Sequence, residues 1–312
     1  MRIDGKAIAD SIFADLKSRV GDLETKNITP KLAVILVGED PASEAYVMQK
    51  QLKADNINAE VEVLQYAVET TTETLLDKIR LLNSDNTTHG IIVQRPLPPH
   101  IDPDTLQEAI IESKDVDGFK PNSPFYVPVV LAVLRLLNLI YKSEIRNPKS
   151  ETNTNDQNQN AQNVLEIFNF DIVSSFDIRD SDFLFWLKQK KVVLIGKGST
   201  AGKPLMDYFN EMGVPFQVID SKTENPQEIT KQADIIISSV GKGSIITQEN
   251  IKPGVSLIGI GIHRGEDNKL HGDYDEDQVK DIAGYYTPTP GGVGPINVAM
   301  LLDNLITAAE QA

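Results

Sequence analysis

Short apolar runs alternate with amphipathic segments along most of the chain. In the first part, runs at 32–37, 61–66 and 90–93 predict buried strands. The segments between them carry apolar residues at helical spacing, and a further helix is predicted at 104–111. An earlier helix is predicted from apolar positions that recur once per turn: Ile8, Ile12, Leu16 and Val20. Strands that alternate with helices of this length predict a parallel α/β sheet.

The second half of the chain repeats this alternation. Four more buried strands are predicted by the apolar runs at 192–195, 216–219, 235–240 and 255–260. A glycine-rich segment follows the first of them directly, and a helix is predicted to begin near Pro204. This order of strand, glycine-rich turn and helix is typical of a Rossmann-type nucleotide-binding sheet.

A polar, asparagine-rich stretch separates the two halves. An apolar run at 127–137 predicts a buried helix. Residues 151–160 then contain no side chain suited to burial, which predicts a disordered polar insertion at about 143–163. The following residues, 164–191, are rich in aromatic side chains, but their pattern fits no single element.

With 312 residues, the chain is long enough for two domains. We expect a first α/β domain at 1–122 that is completed by 290–312. A second, Rossmann-type domain is expected at 123–289. The apolar helix predicted at 296–309 would then return to the first domain.

Composition and charge narrow the possible functions. The net charge of −15 makes nucleic acid and anionic membrane surfaces unfavourable partners, because both are negatively charged. The chain has no cysteine, which excludes disulfides and a thiol nucleophile. Its four histidines show no spacing typical of a metal site, so we expect none. The first residues lack the apolar core of a signal peptide, and we expect a cytoplasmic protein.

Candidate chemistry begins on the helix after the first strand. Asp40-Pro41 is a strong helix start, and Tyr46 and Lys50 lie four residues apart on one face of that helix. The start of such a helix lies at the carboxyl edge of the sheet, where α/β folds bind ligands, and a lysine sheltered there could act as a base. A solvated lysine on an amphipathic helix would give the same spacing. Gln94 ends the third strand and therefore shares this edge.

A glycine-rich segment and the end of the strand that follows it carry further candidates. Gly196, Gly198 and Gly202 lie between a strand and a helix, where backbone N–H groups can bind phosphate, although the spacing departs from G-x-G-x-x-G by one residue. After the next strand, Asp220 favours the free ribose of NAD, whereas Lys197, Ser221 and Lys222 would suit the extra phosphate of NADP. The residues alone leave this choice open.

Four motifs occur in a fixed order. They are Pro41-Ala42-Ser43 with Tyr46-Val47 and Lys50; Val93-Gln94 with Pro96-Leu97-Pro98; Lys114-Asp115-Val116-Asp117-Gly118-Phe119; and Thr287-Pro288 with Pro290-Gly291-Gly292-Val293-Gly294-Pro295. Together they resemble the bifunctional methylenetetrahydrofolate dehydrogenase/cyclohydrolase family, over most of the chain outside about 142–190. The resemblance implies a homodimer that binds tetrahydrofolate derivatives and NADP, or NAD. It implies oxidation of the methylene compound to the methenyl cation, followed by hydrolysis to 10-formyl-tetrahydrofolate.

The resemblance also assigns roles to residues of this chain. Lys50 would assist proton transfer around the attacking water, with Gln94 hydrogen-bonded to it. Tyr46 would stack on the folate, and Asp117 would anchor the pterin ring. Further folate contacts would come from Val47, Val93, Arg95, Pro290, Gly291, Gly292, Gly294 and Pro295. The dinucleotide would contact Gly196, Lys197, Gly198, Ser199, Gly202, Ser221 and Ile262.

The chain departs from the family pattern at three places on the cofactor side. Val129-Val130-Leu131 stands where the family has a small residue, threonine and proline. Gly259 stands where it has aspartate, and Asn297 where threonine is common. The folate motifs are intact, so an alternative is a cyclohydrolase with impaired dehydrogenase activity.

Overall fold

A computed structural model describes residues 1–146, 179–243 and 245–312. These residues form two compact α/β units. The first comprises Met1–Ser11 with Val129–Asn297, and the second comprises Ile12–Pro128 with Val298–Ala312. The division predicted from the sequence, 1–122 with 290–312 against 123–289, stays a prediction about where the functional domains begin and end.

The second unit contains a parallel sheet of three strands in the order β2-β1-β3. Its elements, including the two helices whose other ends lie in the first unit, are α1 (Gly5–Glu24), β1 (Lys31–Val37), α2 (Pro41–Asp55), β2 (Glu60–Tyr66), α3 (Thr72–Ser84), β3 (Gly90–Val93), α4 (Pro103–Ala109) and, at the end of the chain, α10 (Val293–Glu310). The central strand β1 is buried from its second residue onward because both neighbouring strands and the helices cover it. This explains why its sequence is a continuous apolar run rather than an alternating one.

The first unit contains a parallel sheet of five strands in the order β10-β7-β6-β4-β5. Its elements are α5 (Pro128–Arg146), α6 (Ser181–Lys188), β4 (Val192–Ile195), α7 (Gly202–Glu211), β5 (Phe216–Ile219), α8 (Pro226–Thr230), β6 (Ile235–Ser238), β7 (Ser256–Gly259), β8 (Ile262–Arg264), β9 (Leu270–Gly272), α9 (Glu276–Val279) and β10 (Tyr285–Tyr286). The first strand, β4, lies between β5 and β6, as in a Rossmann sheet.

The predicted fold class is confirmed, and the predicted strands are present with ends shifted by at most two residues. Helix α5 is longer than predicted, since it continues to Arg146 through residues that were assigned to the polar insertion. The remainder of that insertion, 147–163, lies outside the described residues. Helix α6 lies in the aromatic stretch at 164–191, of which 164–178 lies outside the described residues. On this helix Phe183 is fully buried, whereas Phe185 is exposed.

The C-terminal helix α10 returns to α1, as predicted. Arg19 of α1 donates two hydrogen bonds to the carboxylate of Glu310, at 2.9 and 2.8 Å. It also donates to Asp303 at 2.5 Å and to Thr307 at 2.9 Å. A planar guanidinium can satisfy three partners in this way because its donors have a fixed fork geometry. These bonds and the apolar faces of the two helices hold the end of the chain in the second unit.

This network predicts the stability of one variant. Arg19→Ala should lower the free energy of unfolding by about 1–2 kcal/mol, because a partly buried, two-pronged ion pair is lost. Denaturant unfolding measures the change. Lys17→Ala, on an exposed position of the same helix, is the control and should change stability little. Equal effects of the two substitutions would contradict the role given to Arg19.

Candidate active site

Lys50 lies on α2 at the carboxyl edge of the three-stranded sheet. The helix starts as the sequence suggested: Asp40 caps it by accepting from the backbone N–H of Ser43 at 2.8 Å, and Pro41 is its first residue. The amine of Lys50 donates to Oε1 of Gln94 at 2.9 Å. The backbone N–H of Gln94 in turn donates to the carbonyl of Ile35 at 2.9 Å, one step beyond β3. The sheet therefore fixes the residue that meets the amine.

The side-chain amide of Gln94 is held in one orientation. Its Nε2 donates to the carbonyl oxygen of Arg95 at 2.8 Å, which leaves Oε1 to face Lys50. A carbonyl oxygen can accept a hydrogen bond either from an ammonium or from a neutral amine. The contact therefore positions the amine of Lys50 without requiring it to be charged.

Burial sets the charge state of this site. It lowers the pKa of Lys50, while the nearby charge of Asp117 acts in the opposite direction. Burial also raises the pKa of Asp117 to about 6, and Lys50 and Arg95 limit that rise. Desolvation dominates at both groups because it disfavours the charged form of each. A lysine in this position loses its proton more readily than an ordinary surface lysine.

Two neighbouring residues anchor the turn that carries Asp117. The amine of Lys114 donates to the carbonyls of Leu82, Asn83 and Asp85 at the end of α3, at 2.8, 3.0 and 2.7 Å. Leu82 and Asn83 belong to the last turn of the helix and Asp85 is its C-cap residue, so the lysine caps the C-terminus.

Asp115 is fully buried and fixes the other side of the same turn. It accepts from Nε2 of Gln107 at 2.6 Å and from the backbone N–H of Lys120 at 3.0 Å. Burial raises the pKa of Asp115, against these hydrogen bonds. Together with the Lys114 cap, these contacts hold the backbone on both sides of Asp117.

The C-terminal helix contributes a third anchor. Nδ2 of Asn304, on α10, donates to the carbonyls of Val116 and Tyr126 at 2.8 and 3.0 Å. Between these carbonyls, Gly118 has a φ of +69°. A Cβ at Gly118 would stand 2.6 Å from the carbonyl oxygen of Phe125. Only glycine fits this close, left-handed turn.

Sequence reasoning missed Lys114, Asp115 and Asn304 as positioning residues. Lys114 and Asp115 were noted only as parts of a motif. Asn304 lies within an apolar helix and carries no local signal. The one signal in the sequence is the polarity of Asn304, since a polar side chain on an otherwise buried helix face must find hydrogen-bond partners.

The other folate candidates of this unit differ in exposure. Tyr46 is 41% exposed, so its ring is available to a ligand. Val47 and Val93 belong to the core, and the groups that they can offer a ligand are those of the backbone. The guanidinium of Arg95 lies 5.1 Å from the ring centroid of Phe119, a cation–π distance, and its charge acts on Asp117.

The glycine-rich loop of the first unit joins β4 to α7. Gly196 has a φ of +93°, which glycine adopts readily. A Cβ on Gly202 would collide with the carbonyl of Gly196, so the loop closes tightly on the helix start. At Gly198, by contrast, no described atom lies within 4 Å of where a Cβ would stand. No side chain within the described ranges caps the N-terminus of α7. Open glycine backbone before an uncapped helix suits a phosphate group.

The remaining cofactor candidates lie at the same edge of the five-stranded sheet or beside it. The amine of Lys197 contacts the carboxylate of Asp220, directly after β5, at 2.5 Å. Ser199 and Ser221 are exposed. Ile262, on β8, is 36% exposed, and its carbonyl lies against Gly241.

The proline–glycine segment packs against the start of the chain within the first unit. A Cβ on Gly5 would overlap the carbonyl of Gly292, and the backbone N–H of Ile3 donates to the carbonyl of Tyr286 at 2.8 Å. Gly291 has a φ of +103°. Pro290 and Gly294 are exposed, Gly291 and Pro295 are partly exposed, and Gly292 is buried.

The structure explains the departure at Gly259. A Cβ there would stand 3.1 Å from the ring of Tyr274. The hydroxyl of this fully enclosed tyrosine donates to the carbonyl of Thr287 at 2.6 Å, and burial raises its pKa. The backbone N–H of Gly259 donates to Oγ1 of the same threonine at 2.9 Å. The aromatic ring therefore takes the space next to Gly259, a relation that the sequence alone did not indicate.

Within 1–146, 179–243 and 245–312, no group of three or more histidine, cysteine, aspartate or glutamate residues is arranged to hold a metal ion. Across those same ranges, every helix is too short or too polar to cross a membrane.

Comparison with known protein families gives two matches, one in each half of the chain. Residues 3–117 match the catalytic domain of tetrahydrofolate dehydrogenase/cyclohydrolase, and residues 182–312 match its NAD(P)-binding domain. The chain is also 36% identical over 309 residues to the bifunctional protein FolD of Lactococcus lactis, covering 99% of this chain and 97% of that protein. The chain belongs to the tetrahydrofolate dehydrogenase/cyclohydrolase family.

Solved structures of this family agree with that assignment. The bifunctional FolD enzyme of Campylobacter jejuni is 32% identical, with a TM-score of 0.80 over 100% of this chain and 99% of that one. The FolD enzyme of Trypanosoma brucei, complexed with NADP cofactor and an inhibitor, is 27% identical, with a TM-score of 0.81 over 100% of this chain and 97% of that one. The resemblance inferred from the four motifs is confirmed.

The electrostatics of Asp117 predict a stability effect in this family member. Because its pKa is raised from 3.8 to about 6, the folded state binds this proton more tightly than the unfolded state. Its ionisation therefore destabilises the fold as pH rises through that interval. Asp117→Asn should raise the free energy of unfolding at neutral pH by about 1–2 kcal/mol, and the gain should vanish below about pH 4.

Denaturant unfolding at several pH values measures this effect. Glu108→Gln, which changes an exposed carboxylate on α4, is the matched control and should show no comparable gain. An Asp117→Asn protein that is less stable than the wild type at neutral pH would contradict the dominance of desolvation.

Proposed function

We propose that the protein oxidises 5,10-methylene-tetrahydrofolate to the 5,10-methenyl compound with NAD(P)⁺, and hydrolyses that product to 10-formyl-tetrahydrofolate. The observation that carries the proposal is the desolvated amine of Lys50, held by Gln94 near the charge of Asp117. Membership of the tetrahydrofolate dehydrogenase/cyclohydrolase family supports it. In the first step a hydride leaves the methylene carbon for the dinucleotide. In the second, water adds to the resulting cation, one proton is released and a carbon–nitrogen bond opens.

Lys50 is the proposed catalytic residue of the hydrolytic step. A cationic methenyl group would be repelled by an ammonium, so an amine that loses its proton readily suits this substrate. When Lys50 is neutral and donates to Gln94, its lone pair remains available to take a proton from the attacking water. Gln94 therefore acts by positioning the amine.

Other folate contacts are proposed at exposed and buried groups alike. Asp117 would accept hydrogen bonds from the polar edge of the pterin, since its carboxylate is mostly ionised at neutral pH. Tyr46 would stack its exposed ring on the substrate. The remaining proposed contacts are Val47, Val93, Arg95, Pro290, Gly291, Gly292, Gly294 and Pro295.

NADP is the proposed cofactor, with NAD as a second possibility. The open glycine loop and the uncapped start of α7 fit a pyrophosphate. Lys197 and Ser221 provide a cation and a hydroxyl for an additional phosphate. When bound, the dinucleotide accepts the hydride. The proposed contacts are Gly196, Lys197, Gly198, Ser199, Gly202, Ser221 and Ile262.

The organisation of the protein in the cell is also a proposal. We infer that it acts in the cytoplasm as a homodimer, with tetrahydrofolate derivatives as its ligands. For the functional domains we retain 1–122 with 290–312 for folate binding, and 123–289 for the dinucleotide.

A second candidate function is hydrolysis alone. It is favoured by the side chains at the start of α5, where Val129 and Val130 are buried and apolar and offer no hydroxyl to a ligand. The site around Lys50 has no such departure. Under this alternative the protein would hydrolyse the methenyl compound and fail to oxidise the methylene compound.

Steady-state assays with both cofactors separate these functions. The purified protein should reduce NADP or NAD in the presence of 5,10-methylene-tetrahydrofolate and should hydrolyse the methenyl compound in a separate assay. Hydrolysis without reduction of either cofactor would establish the second candidate. If the protein catalysed neither reaction, both candidate functions would be overturned.

Substitution of Lys50 tests the hydrolytic mechanism. Lys50→Met keeps most of the side-chain volume but removes the amine, so hydrolysis should fall by at least about 100-fold, the usual contribution of a positioned general base. Folate binding, measured by calorimetry, should remain. Lys53→Met is the matched control on the same helix, because its amine lies over the ring of Phe13, 5.0 Å from the centroid. Unchanged hydrolysis by Lys50→Met would reject the role of this residue.

A further inference from the structure

An ion pair occupies the position where the extra phosphate of NADP would have to be recognised. Lys197 follows Gly196 in the glycine loop, and Asp220 follows Ile219 at the end of β5. The backbone N–H of Gly196 donates to the carbonyl of Ile219 at 2.9 Å, so the two residues leave adjacent parallel strands side by side. The amine of Lys197 contacts Oδ2 of Asp220 at 2.5 Å.

The carboxylate of Asp220 is rigidly held. Its Oδ1 accepts from the backbone N–H of Lys222 at 2.9 Å and from the hydroxyl of Thr223 at 3.2 Å. Its side chain is 21% exposed, whereas that of Lys197 is 58% exposed. The hydrogen bond from Lys197 is the largest cause that lowers the pKa of Asp220, to about 2, so the carboxylate is ionised at physiological pH.

These facts have opposite consequences for the two dinucleotides. In a Rossmann fold, an acid at the end of the second strand accepts from the free 2′-hydroxyl of the adenosine ribose. The same acid repels a 2′-phosphate, which carries nearly two negative charges. Lys197 is a nearby cation that could offset that charge, but its amine is already engaged by Asp220.

We propose that Asp220 is a cofactor-discriminating residue, which restrains Lys197 and thereby weakens NADP binding relative to NAD binding. To bind NADP, the flexible Lys197 must leave the fixed carboxylate and turn to the phosphate. NAD requires no such exchange, and it gains a hydrogen-bond acceptor for its ribose. This inference rests on the proposed dinucleotide-dependent function and adds to it the residue that sets how strongly NADP is preferred.

Removal of the charge tests the proposal. Asp220→Asn retains an oxygen that can accept from the N–H of Lys222, so the loop keeps its shape. Its dissociation constant for NADP, measured by calorimetry on the full-length protein, should fall about tenfold, since an exposed ion pair is released and a like charge is removed. The constant for NAD should stay within about twofold of the wild type or rise, because NAD has no 2′-phosphate to benefit from the released lysine.

The chain provides a matched control. Asp207 forms an exposed pair with Lys203 on α7 at 2.5 Å, at a position away from the end of β5. Asp207→Asn changes the net charge equally and should leave the ratio of the two constants unchanged. The proposal would be overturned if Asp207→Asn lowered the dissociation constant for NADP, relative to that for NAD, as much as Asp220→Asn does. The effect would then follow from net charge.

A double variant tests whether Lys197 carries the effect. If Asp220 acts by restraining this lysine, Asp220→Asn should give most of its gain only when Lys197 is present, and little of it in a Lys197→Met background. A full gain without Lys197 would overturn the proposed restraint.

The wild-type measurement separates the two levels of inference. Binding of neither dinucleotide by the wild type would overturn the proposed function and this inference with it. Binding of both, with an unchanged ratio in Asp220→Asn, would overturn this inference alone.

Discussion

Withdrawal of a lysine and an aspartate from water is the constraint on which the candidate active site depends. The burial of Lys50 and Asp117 disfavours the charged form of each, and their mutual attraction offsets this only in part. A surface pair would be fully ionised and chemically inert. Here burial lowers the pKa of the lysine and raises that of the aspartate, so each group changes its charge more readily than at the surface, which is the property that an acid–base step requires.

Such a site is stable only if the surrounding backbone is held firmly. The turn that carries Asp117 is anchored from three directions: Lys114 binds the end of α3, Asp115 binds Gln107, and Asn304 reaches from α10. Each anchor is a buried polar group whose partners are satisfied within the fold. The C-terminal helix therefore does more than cover the sheet. It helps to position Asp117, a proposed folate-binding residue that lies far away in the sequence.

The elements and the candidate residues differ in how far the sequence could predict them. Buried parallel strands form continuous apolar runs, so the sheet could be predicted closely, and the cap at Asp40 marked the start of α2. The anchor at Asn304 and the packing of Tyr274 against Gly259 could not be predicted, since both depend on contacts between distant segments. The length of helix α5 is underestimated from the sequence, because the change to polar residues after 141 predicts the end of the helix, whereas it continues to Arg146. An amphipathic helix can continue with polar residues facing solvent.

Lys50 and Lys197 show how one residue type is given two different electrostatic tasks. Lys50 lies in a desolvated setting where its closest partner is a neutral amide, and its pKa falls. Lys197 lies at the surface against a carboxylate, where its amine can exchange one anion for another. The first arrangement suits proton transfer beside a cationic substrate, and the second suits the recognition of phosphate. A chain with a net charge of −15 must place its cations individually if it is to bind a phosphorylated cofactor. The pairing of Lys197 with Asp220 therefore bears directly on which dinucleotide this chain prefers.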